Sequence, residues 1–325
     1  MVGRAPATPR SARRPPRLRH ASHLTVAAAR GAYLAYRAGA EVARRIPQPV
    51  GAPMARGLAQ LVGVGFMGAR TKQVERNLRR AYGPGFGGLA LRRAVAATFD
   101  SYGRYYYELF RLPGTPKAWI DAHTHFTGRE HIAAAMAAGN GLVLALPHLG
   151  NWDFAGAWLA GQGYTVTVVA EPLDPPQLFD WFVETRRRLG MRVIPLSPTA
   201  GAEVLRALRA NEAVCLLCDR DLTGDGVEVE FLGERTTLPA GPAALALRAG
   251  APLCPAGCYF RPHGNHEIRI LAPIDTARTG RFRADVARVT QEVAHRFETL
   301  IRAEPEHWHL MQPNWPSDRT SGDHL

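Results

Sequence analysis

The strongest constraint on the fold is an alternation of short apolar runs with helical segments between residues 142 and 218. Leu142 to Leu146 is a continuous apolar run, with the length and composition of a buried strand. Further strand-like runs lie at 164–169, 192–196 and 213–218, and helical segments lie between them at 179–189 and 202–210. This alternation is typical of a parallel sheet flanked by helices. We therefore predict an α/β fold with a mainly parallel central sheet.

The rest of the chain adds a helical layer before this core. Helices are predicted at 24–46, 51–69, 71–82, 89–111 and 128–138, then strands at 252–260 and 266–271 and a long helix at 282–303. We predict a single domain over 23–316, with N-terminal helices at 23–111 and an α/β core at 112–316. Residues 1–22 contain six arginines and no acidic residue, which predicts a disordered basic tail. Residues 317–325 are predicted to be a second tail.

Polar residues follow three of the predicted strands directly. Pro147 ends the run at 142–146, and Asn151 is a suitable N-cap for a helix that begins near Trp152. His148 and Asp153 therefore lie between the end of a strand and the beginning of a helix. Other acidic side chains follow the next strands: Glu171, Asp219 and Asp221. Because ligands bind outside the carboxyl ends of parallel strands, we predict that His148, Glu171, Asp219 and Asp221 line one edge of a single cleft.

His148 and Asp153 suggest proton transfer. An imidazole can take a proton from a hydroxyl near neutral pH. A carboxylate on the other ring nitrogen would fix the tautomer and stabilise the imidazolium. The motif contains no Ser or Cys, so the pair suits activation of a substrate hydroxyl better than of an enzyme nucleophile. Spacing alone leaves open a second interpretation, in which a capping Asp holds a histidine that has no function.

The stretch Pro147 to Asp153, Pro-His-Leu-Gly-Asn-Trp-Asp, resembles the catalytic signature of the glycerolipid acyltransferase superfamily. More narrowly, the chain is similar to the bacterial lipid A lauroyl/myristoyl acyltransferases, and most to their actinobacterial branch, the phosphatidylinositol mannoside acyltransferases. The resemblance spans Tyr33 to Trp315. It includes five further blocks in the same order: Ser101–Glu108, Glu171–Pro172, Glu184–Arg188, Asp219–Asp221 and Leu238–Pro242.

The resemblance implies an acyl-CoA-dependent O-acyltransferase that moves a palmitoyl-type group to a mannose hydroxyl of a phosphatidylinositol mannoside. His148 is the expected general base, and Asp153 is expected to orient it. Arg186 and backbone N–H groups at the helix mouth are candidate donors to the oxyanion. The predicted substrate-binding residues are Asn151, Glu171, Arg186, Asp219, Arg220 and Asp221. We expect acyl-CoA as co-substrate and neither another cofactor nor a metal.

Two other functions use the same features. A hydrolase would use the His–Asp pair to activate water, and a catalytically inactive lipid-binding module would need only the basic tail and the apolar helices. The presence of both His148 and Asp153 favours an enzyme over the inactive module.

Three patterns raise the possibility of a metal site. Residues 219–230 fit an EF-hand calcium loop, but strand-like flanks argue against it. Four cysteines, at 215, 218, 254 and 258, have zinc-like spacings, although residues three apart on a strand point to opposite faces. His307 and His309 are two residues apart in a Trp-rich segment. We predict that these cysteines are buried thiols and that the histidines pack.

The charge pattern favours an anionic partner. The formal charge is +12, and 38 of the 40 basic residues are arginine, which suits acidic lipid surfaces and phosphorylated ligands. Nucleic acid is not predicted, because no binding motif is present.

The uncharged run at 57–69 is shorter than the ~20 residues of a spanning helix. We predict peripheral or monotopic attachment to the cytoplasmic face of the plasma (inner) membrane. A purely packed helical layer is the alternative, and the sequence does not define the oligomeric state.

Overall fold

The computed structural model describes residues 23–66 and 68–319, so the predicted basic tail at 1–22 lies outside the described residues. The described chain begins with four helices: α1 (His23–Arg45), α2 (Gln48–Phe66), α3 (Gly68–Tyr82) and α4 (Gly88–Arg111). α2 packs closely along α4 because both helices carry small residues at the contact. A Cβ added to Gly103 of α4 would lie 2.8 Å from the carbonyl oxygen of Ala55 in α2. These helices form the predicted N-terminal layer.

An α/β core follows this layer. Its elements in chain order are α5 (Lys117–Ala122), β1 (Thr124–Thr127), α6 (Arg129–Ala137), β2 (Leu142–Leu146), α7 (Trp152–Gly161), β3 (Val166–Ala170), α8 (Pro176–Arg188), β4 (Met191–Pro195), α9 (Ala200–Arg209), β5 (Ala213–Leu217), β6 (Val227–Phe231), β7 (Glu234–Leu238), α10 (Gly241–Ala249), β8 (Leu253–Phe260), β9 (His266–Ile270) and α11 (Phe282–Ala303).

Seven of these strands form one sheet in the order β1-β9-β8-β2-β5-β3-β4. β8 and β9 pair antiparallel, and the other neighbours in this order pair parallel. This confirms the predicted α/β fold with a mainly parallel central sheet. β6 and β7 form a separate antiparallel hairpin.

The two faces of the sheet bury different helices, because successive strand residues point to opposite sides. Leu144 packs with Phe154 and Trp158 of α7. Val143 belongs to the core under α9, α10 and α11. Cys215 and Cys218 belong to these two different clusters, as the alternation predicts. All four cysteines are buried and free, and burial raises the pKa of Cys215 to about 12.

The register of the sheet places two chain segments side by side at its carboxyl edge. Leu146, the last residue of β2, is the partner of Leu217, the last residue of β5. His148 and Asp219 each follow two residues after their strand, so they emerge next to each other.

The packed chain continues after α11. Asp318 is buried and pairs with Arg80 of α3 at 2.8 Å. The packed chain therefore extends beyond the boundary predicted at 316.

Candidate active site

His148 is held by Asp219 at the carboxyl edge of the sheet. Its Nδ1 lies 2.6 Å from Oδ1 of Asp219, and its backbone N–H donates to Oδ2 at 2.9 Å. The indole N–H of Trp308 also donates to Oδ2, at 2.8 Å. Complete burial of Asp219 alone would raise its pKa, but these contacts with His148 and Trp308 lower the pKa below its usual value. The ionised carboxylate therefore requires a proton on Nδ1, which leaves Nε2 as the acceptor.

The loop that carries His148 is fixed on both sides by backbone contacts. The N–H of Gly150 donates to the carbonyl of His307 at 2.8 Å, and the N–H of His309 donates to the carbonyl of His148 at 2.7 Å. Gly150 has φ +63°, and an added Cβ would lie 1.7 Å from the carbonyl oxygen of Cys258. Only glycine fits this position, so the Leu-Gly of the motif sets the path of the loop.

Asp153 does not contact His148, so the prediction that it orients the imidazole is wrong. Its Oδ1 accepts from Nε of Arg186 at 2.7 Å, and its Oδ2 accepts from Nη2 at 3.1 Å. The hydroxyl of Tyr105 donates to Oδ2 at 2.8 Å. The first turn of α7 directs this side chain toward α4 and α8, away from the end of β2. Arg186 is therefore held by Asp153 and lines the cavity described below.

Asn151 caps α7, as predicted. Its Oδ1 accepts from the N–H of Phe154 at 3.0 Å, and its Nδ2 donates to Oε2 of Glu108 at 2.8 Å. The side chain is fully buried. The predicted substrate contact is wrong, because both ends of the amide are bound inside the protein. Asn151 instead holds the end of the catalytic loop.

Glu108 anchors this amide with a buried charge. Its carboxylate also receives Nε2 of His266 at 2.8 Å and Nε of Arg104 at 2.7 Å. Burial alone would raise the pKa of Glu108, but His266 and Arg104 outweigh it and lower the pKa to about 2. The group is therefore ionised at neutral pH.

Glu171 and Arg220 meet at the rim of the site. Nη2 of Arg220 donates to Oε2 of Glu171 at 2.8 Å, and both residues line the cavity. Glu171 is about half exposed and Arg220 mostly covered. A charged pair at this rim can bind hydroxyl or phosphate groups of a polar ligand.

Asp221 stabilises a turn, and its predicted place in the cleft is wrong. Its carboxylate accepts from the N–H groups of Thr223, Gly224 and Gly226 and from the hydroxyl of Thr237. These donors occupy the oxygens that an EF-hand would give to calcium. The flanking elements are the strands β5 and β6, which also contradicts an EF-hand.

A cavity of about 510 Å³ opens beside His148 and runs between the sheet and α7. This volume lies within the usual range for small-molecule sites. His148 and the charged side chains gather at the carboxyl edge of the sheet, the latter being Asp153, Glu171, Arg186 and Arg220. Its inner part is apolar and includes Leu144, Trp158, Cys215, Ala256 and Ile268. The arrangement suits a ligand with a polar reacting end and a long apolar body.

Two residues around this site were not predicted from the sequence: His266, which binds Glu108, and Trp308, which binds Asp219. Trp308 gives no local signal, because only folding brings it to Asp219. The predicted packing of the paired histidines is confirmed: His307 lies against Phe260, with ring centroids 5.3 Å apart, and His309 is buried. Burial lowers the pKa of His307 to about 4. Among residues 23–66 and 68–319, no cluster of three His, Cys, Asp or Glu side chains could hold a metal ion.

Comparison with known proteins gives a consistent result. Residues 18–317 match the model of a family described as bacterial lipid A biosynthesis acyltransferase. A phosphatidylinositol mannoside acyltransferase of Mycobacterium tuberculosis is 44% identical over 229 residues, which cover 69% of this chain and 71% of that protein. Its namesake in Mycolicibacterium smegmatis is 39% identical over 297 residues, 88% and 91% of the two chains. A lipid A biosynthesis acyltransferase of Haemophilus influenzae is 30% identical over 159 residues, 47% and 49% of the two chains.

Proposed function

Because the chain belongs to the bacterial lipid A biosynthesis acyltransferase family, we propose that it transfers a long-chain acyl group from acyl-CoA to a mannose hydroxyl of a phosphatidylinositol mannoside. The acceptor is inferred from the names of the two mycobacterial relatives. The observation that carries the reaction is the pairing of His148 with Asp219 beside an apolar cavity.

In the proposed reaction, Nε2 of His148 takes the proton of the acceptor hydroxyl as its oxygen attacks the thioester carbonyl carbon. Asp219 stabilises the imidazolium through Nδ1–H. When the tetrahedral intermediate collapses, the C–S bond breaks and the thiolate of CoA takes the proton from the imidazolium. The products are the acyl ester and free CoA, and His148 returns to its starting state.

The developing oxyanion needs hydrogen-bond donors. Backbone N–H groups at the beginning of α7 support this role, because helix N-termini carry unsatisfied donors and a positive partial charge. Arg186 fits it less well than the sequence suggested, since two of its nitrogens already bind Asp153. We propose instead that Arg186 neutralises the buried charge of Asp153 and forms part of the cavity wall.

The inner, apolar part of the cavity is the proposed place of the acyl chain. It is lined by small or aliphatic side chains of β2, β5, β8 and β9 opposite α7, so a methylene chain gains dispersion contacts along its length. A palmitoyl-type chain placed there would hold its thioester at His148. Glu171 and Arg220 would then meet the polar acceptor or CoA at the rim.

We also propose that α1 and α2 bind the membrane surface. They expose apolar side chains, including Leu34, Val42, Val50, Met54, Leu58 and Leu61. Arg44, Arg45 and Arg56 are also exposed on these helices, where they pair with Glu41 or Asp100. None of the described helices is long and apolar enough to cross a membrane. Apolar side chains among arginines support peripheral binding to anionic lipid, and we propose the cytoplasmic face of the plasma membrane as the location.

The packing of α1 brings this surface close to the site. Tyr36 of α1 packs against Phe182 of α8, with ring centroids 5.9 Å apart, and contacts Tyr106 of α4. Phe182 and Tyr106 both line the cavity. A glycolipid bound at the proposed membrane surface would therefore be near the cavity.

Incubation of purified protein with palmitoyl-CoA, with and without a phosphatidylinositol mannoside, tests the proposal. We expect release of CoA that requires the glycolipid, together with an acylated glycolipid. His148→Ala should lower the rate by ~10²–10⁴-fold, the usual contribution of a general base. His295→Ala, at an exposed position of α11, is the control and should leave the rate unchanged.

Other outcomes would contradict this assignment. Free palmitate formed at the same rate without acceptor would identify a hydrolase. Binding of palmitoyl-CoA without any turnover would identify a lipid-binding module. His148→Ala protein that kept a tenth or more of wild-type transfer would exclude His148 as the base.

A further inference from the structure

One face of α4 presents three polar side chains to the active site. Ser101, Tyr105 and Glu108 lie four and three residues apart, a spacing that places them on the same side of a helix. We refer to these three residues as the polar stripe of α4. Each one reaches a different part of the site.

Tyr105 reaches the first turn of α7. Its buried hydroxyl donates to Oδ2 of Asp153 at 2.8 Å. Asp153 in turn binds Arg186 of α8 through two nitrogens. The Tyr105 ring lies against Trp152, with ring centroids 4.2 Å apart. This contact therefore connects α4 with both α7 and α8.

Glu108 reaches the end of the catalytic loop. It accepts from Nδ2 of Asn151 at 2.8 Å and from Nε2 of His266, at the beginning of β9, at 2.8 Å. Since Asn151 is three residues after His148, a shift of this amide would move the imidazole. The ionised Glu108 makes both hydrogen bonds strong.

Ser101 reaches the opposite side of the same loop. Its Oγ lies 2.8 Å from Nε2 of His309. The backbone N–H of His309 donates to the carbonyl of His148 at 2.7 Å. The segment 307–309 also carries Trp308, which binds Asp219. Ser101 therefore acts on the catalytic pair through the segment that supports it.

We propose that Ser101, Tyr105 and Glu108 are positioning residues that fix the catalytic loop, the first turn of α7 and the segment 307–309 at one relative placement. A single rigid helix sets all three distances, although the three segments are far apart in the sequence. Reacting atoms displaced by about 1 Å can lower a rate by ~10²-fold. The proposal rests on the proposed acyl transfer at His148 and assigns the polar stripe a role in its rate.

A matched pair of variants on α4 tests this inference. Tyr105→Phe keeps the ring and removes only the hydroxyl that binds Asp153. Tyr107→Phe removes the hydroxyl of another buried tyrosine on α4, which donates to the carbonyl of Ile46 at 3.3 Å, away from the catalytic loop. Both variants remove only the hydroxyl of a buried tyrosine of α4, and of the two hydroxyls only that of Tyr105 contacts the active site.

We expect Tyr105→Phe to lower kcat by roughly 10- to 100-fold, with KM for palmitoyl-CoA unchanged. The acid limb of kcat/KM against pH should also stay unchanged, because His148 remains the base. Tyr107→Phe should keep the wild-type kcat. Glu108→Gln should resemble Tyr105→Phe, since it weakens the hold on Asn151.

Hydrogen–deuterium exchange supplies a readout that does not require activity. Exchange over residues 148–156 should be faster in Tyr105→Phe than in wild type and unchanged in Tyr107→Phe. Equal exchange in the two variants, or equal kcat, would overturn the positioning role. Wild-type protein without any transfer would instead contradict the proposed function, and the exchange comparison would still decide the role of the polar stripe.

Discussion

His148 and Asp219 are 71 residues apart in the sequence, and their side chains are joined by a 2.6 Å hydrogen bond at the end of adjacent parallel strands. Asp219 is fully buried, whereas His148 keeps about a quarter of its side chain exposed toward the cavity. Such a pair combines a fixed tautomer with an accessible base.

Asp219→Asn should lower acyl transfer by ~10³-fold or more, because the hydrogen-bond shape survives but the charge that stabilises the imidazolium is lost. Asp221→Asn, two residues further on, should change stability and leave kcat near that of wild type, since Asp221 holds only a turn. Steady-state kinetics on both variants provide the comparison. Equal losses of kcat would contradict the assignment of Asp219.

Arg186→Ala should destabilise the fold by about 3–5 kcal/mol, because it leaves the buried carboxylate of Asp153 without its cationic partner. Arg187→Ala should change stability by less than ~0.5 kcal/mol, since its side chain is 72% exposed and its salt bridge with Glu184 is a surface pair. Urea denaturation of the two variants measures this difference in the free energy of unfolding. Similar midpoints would show that the Arg186 pair contributes little.

Gly156→Leu should shift the preferred donor toward shorter acyl chains. A Cβ at this position of α7 would lie 2.5 Å from Sδ of Met191, and both residues line the cavity. The added side chain and the displaced methionine would fill cavity volume, with a loss of roughly 10-fold or more for palmitoyl-CoA. Gly161→Leu, at the end of the same helix, is the control. Rates measured over a series of acyl-CoA lengths test this shift. An unchanged preference in Gly156→Leu would place the acyl chain elsewhere.

The double variant Leu58→Glu and Leu61→Glu should weaken binding to anionic phospholipid vesicles. Both leucines of α2 are more than 60% exposed, and charge at these positions opposes insertion into the interface. Leu89→Glu on α4 alters an equally exposed leucine and should bind as wild type does. Vesicle co-sedimentation gives the bound fractions. Undiminished binding by the double variant would show that α2 is not the membrane contact.

Glu108 should make stability depend on acid pH. Its folded-state pKa is about 2, below the ordinary value of 4.5, so its contribution is complete above pH ~4.5 and is lost as pH falls toward 2. The contribution is on the order of 3 kcal/mol. Wild type should exceed Glu108→Gln in unfolding free energy at pH 6, and the gap should narrow below pH 4.5. A gap independent of pH would contradict the buried ion-pair network.

Local patterns in the sequence determined the architecture and part of the site. Apolar runs of strand length alternating with helical periodicity specified the α/β core, because each pattern can bury its apolar side chains in only one kind of element. Proline and asparagine at the end of β2 specified where the strand ends and where α7 begins. The strand-end position of His148 likewise indicated the carboxyl edge of the sheet.

Only the tertiary structure decided which carboxylate serves His148. Asp153 is five residues away, but the first turn of α7 directs it to Tyr105 and Arg186. Asp219 reaches the imidazole because the register of β2 and β5 pairs Leu146 with Leu217. Strand order and register follow from the packing of the whole sheet and its helices, so spacing within one motif does not contain them. The same holds for Trp308 and the polar stripe of α4, whose partners lie on segments that meet only when the core is closed.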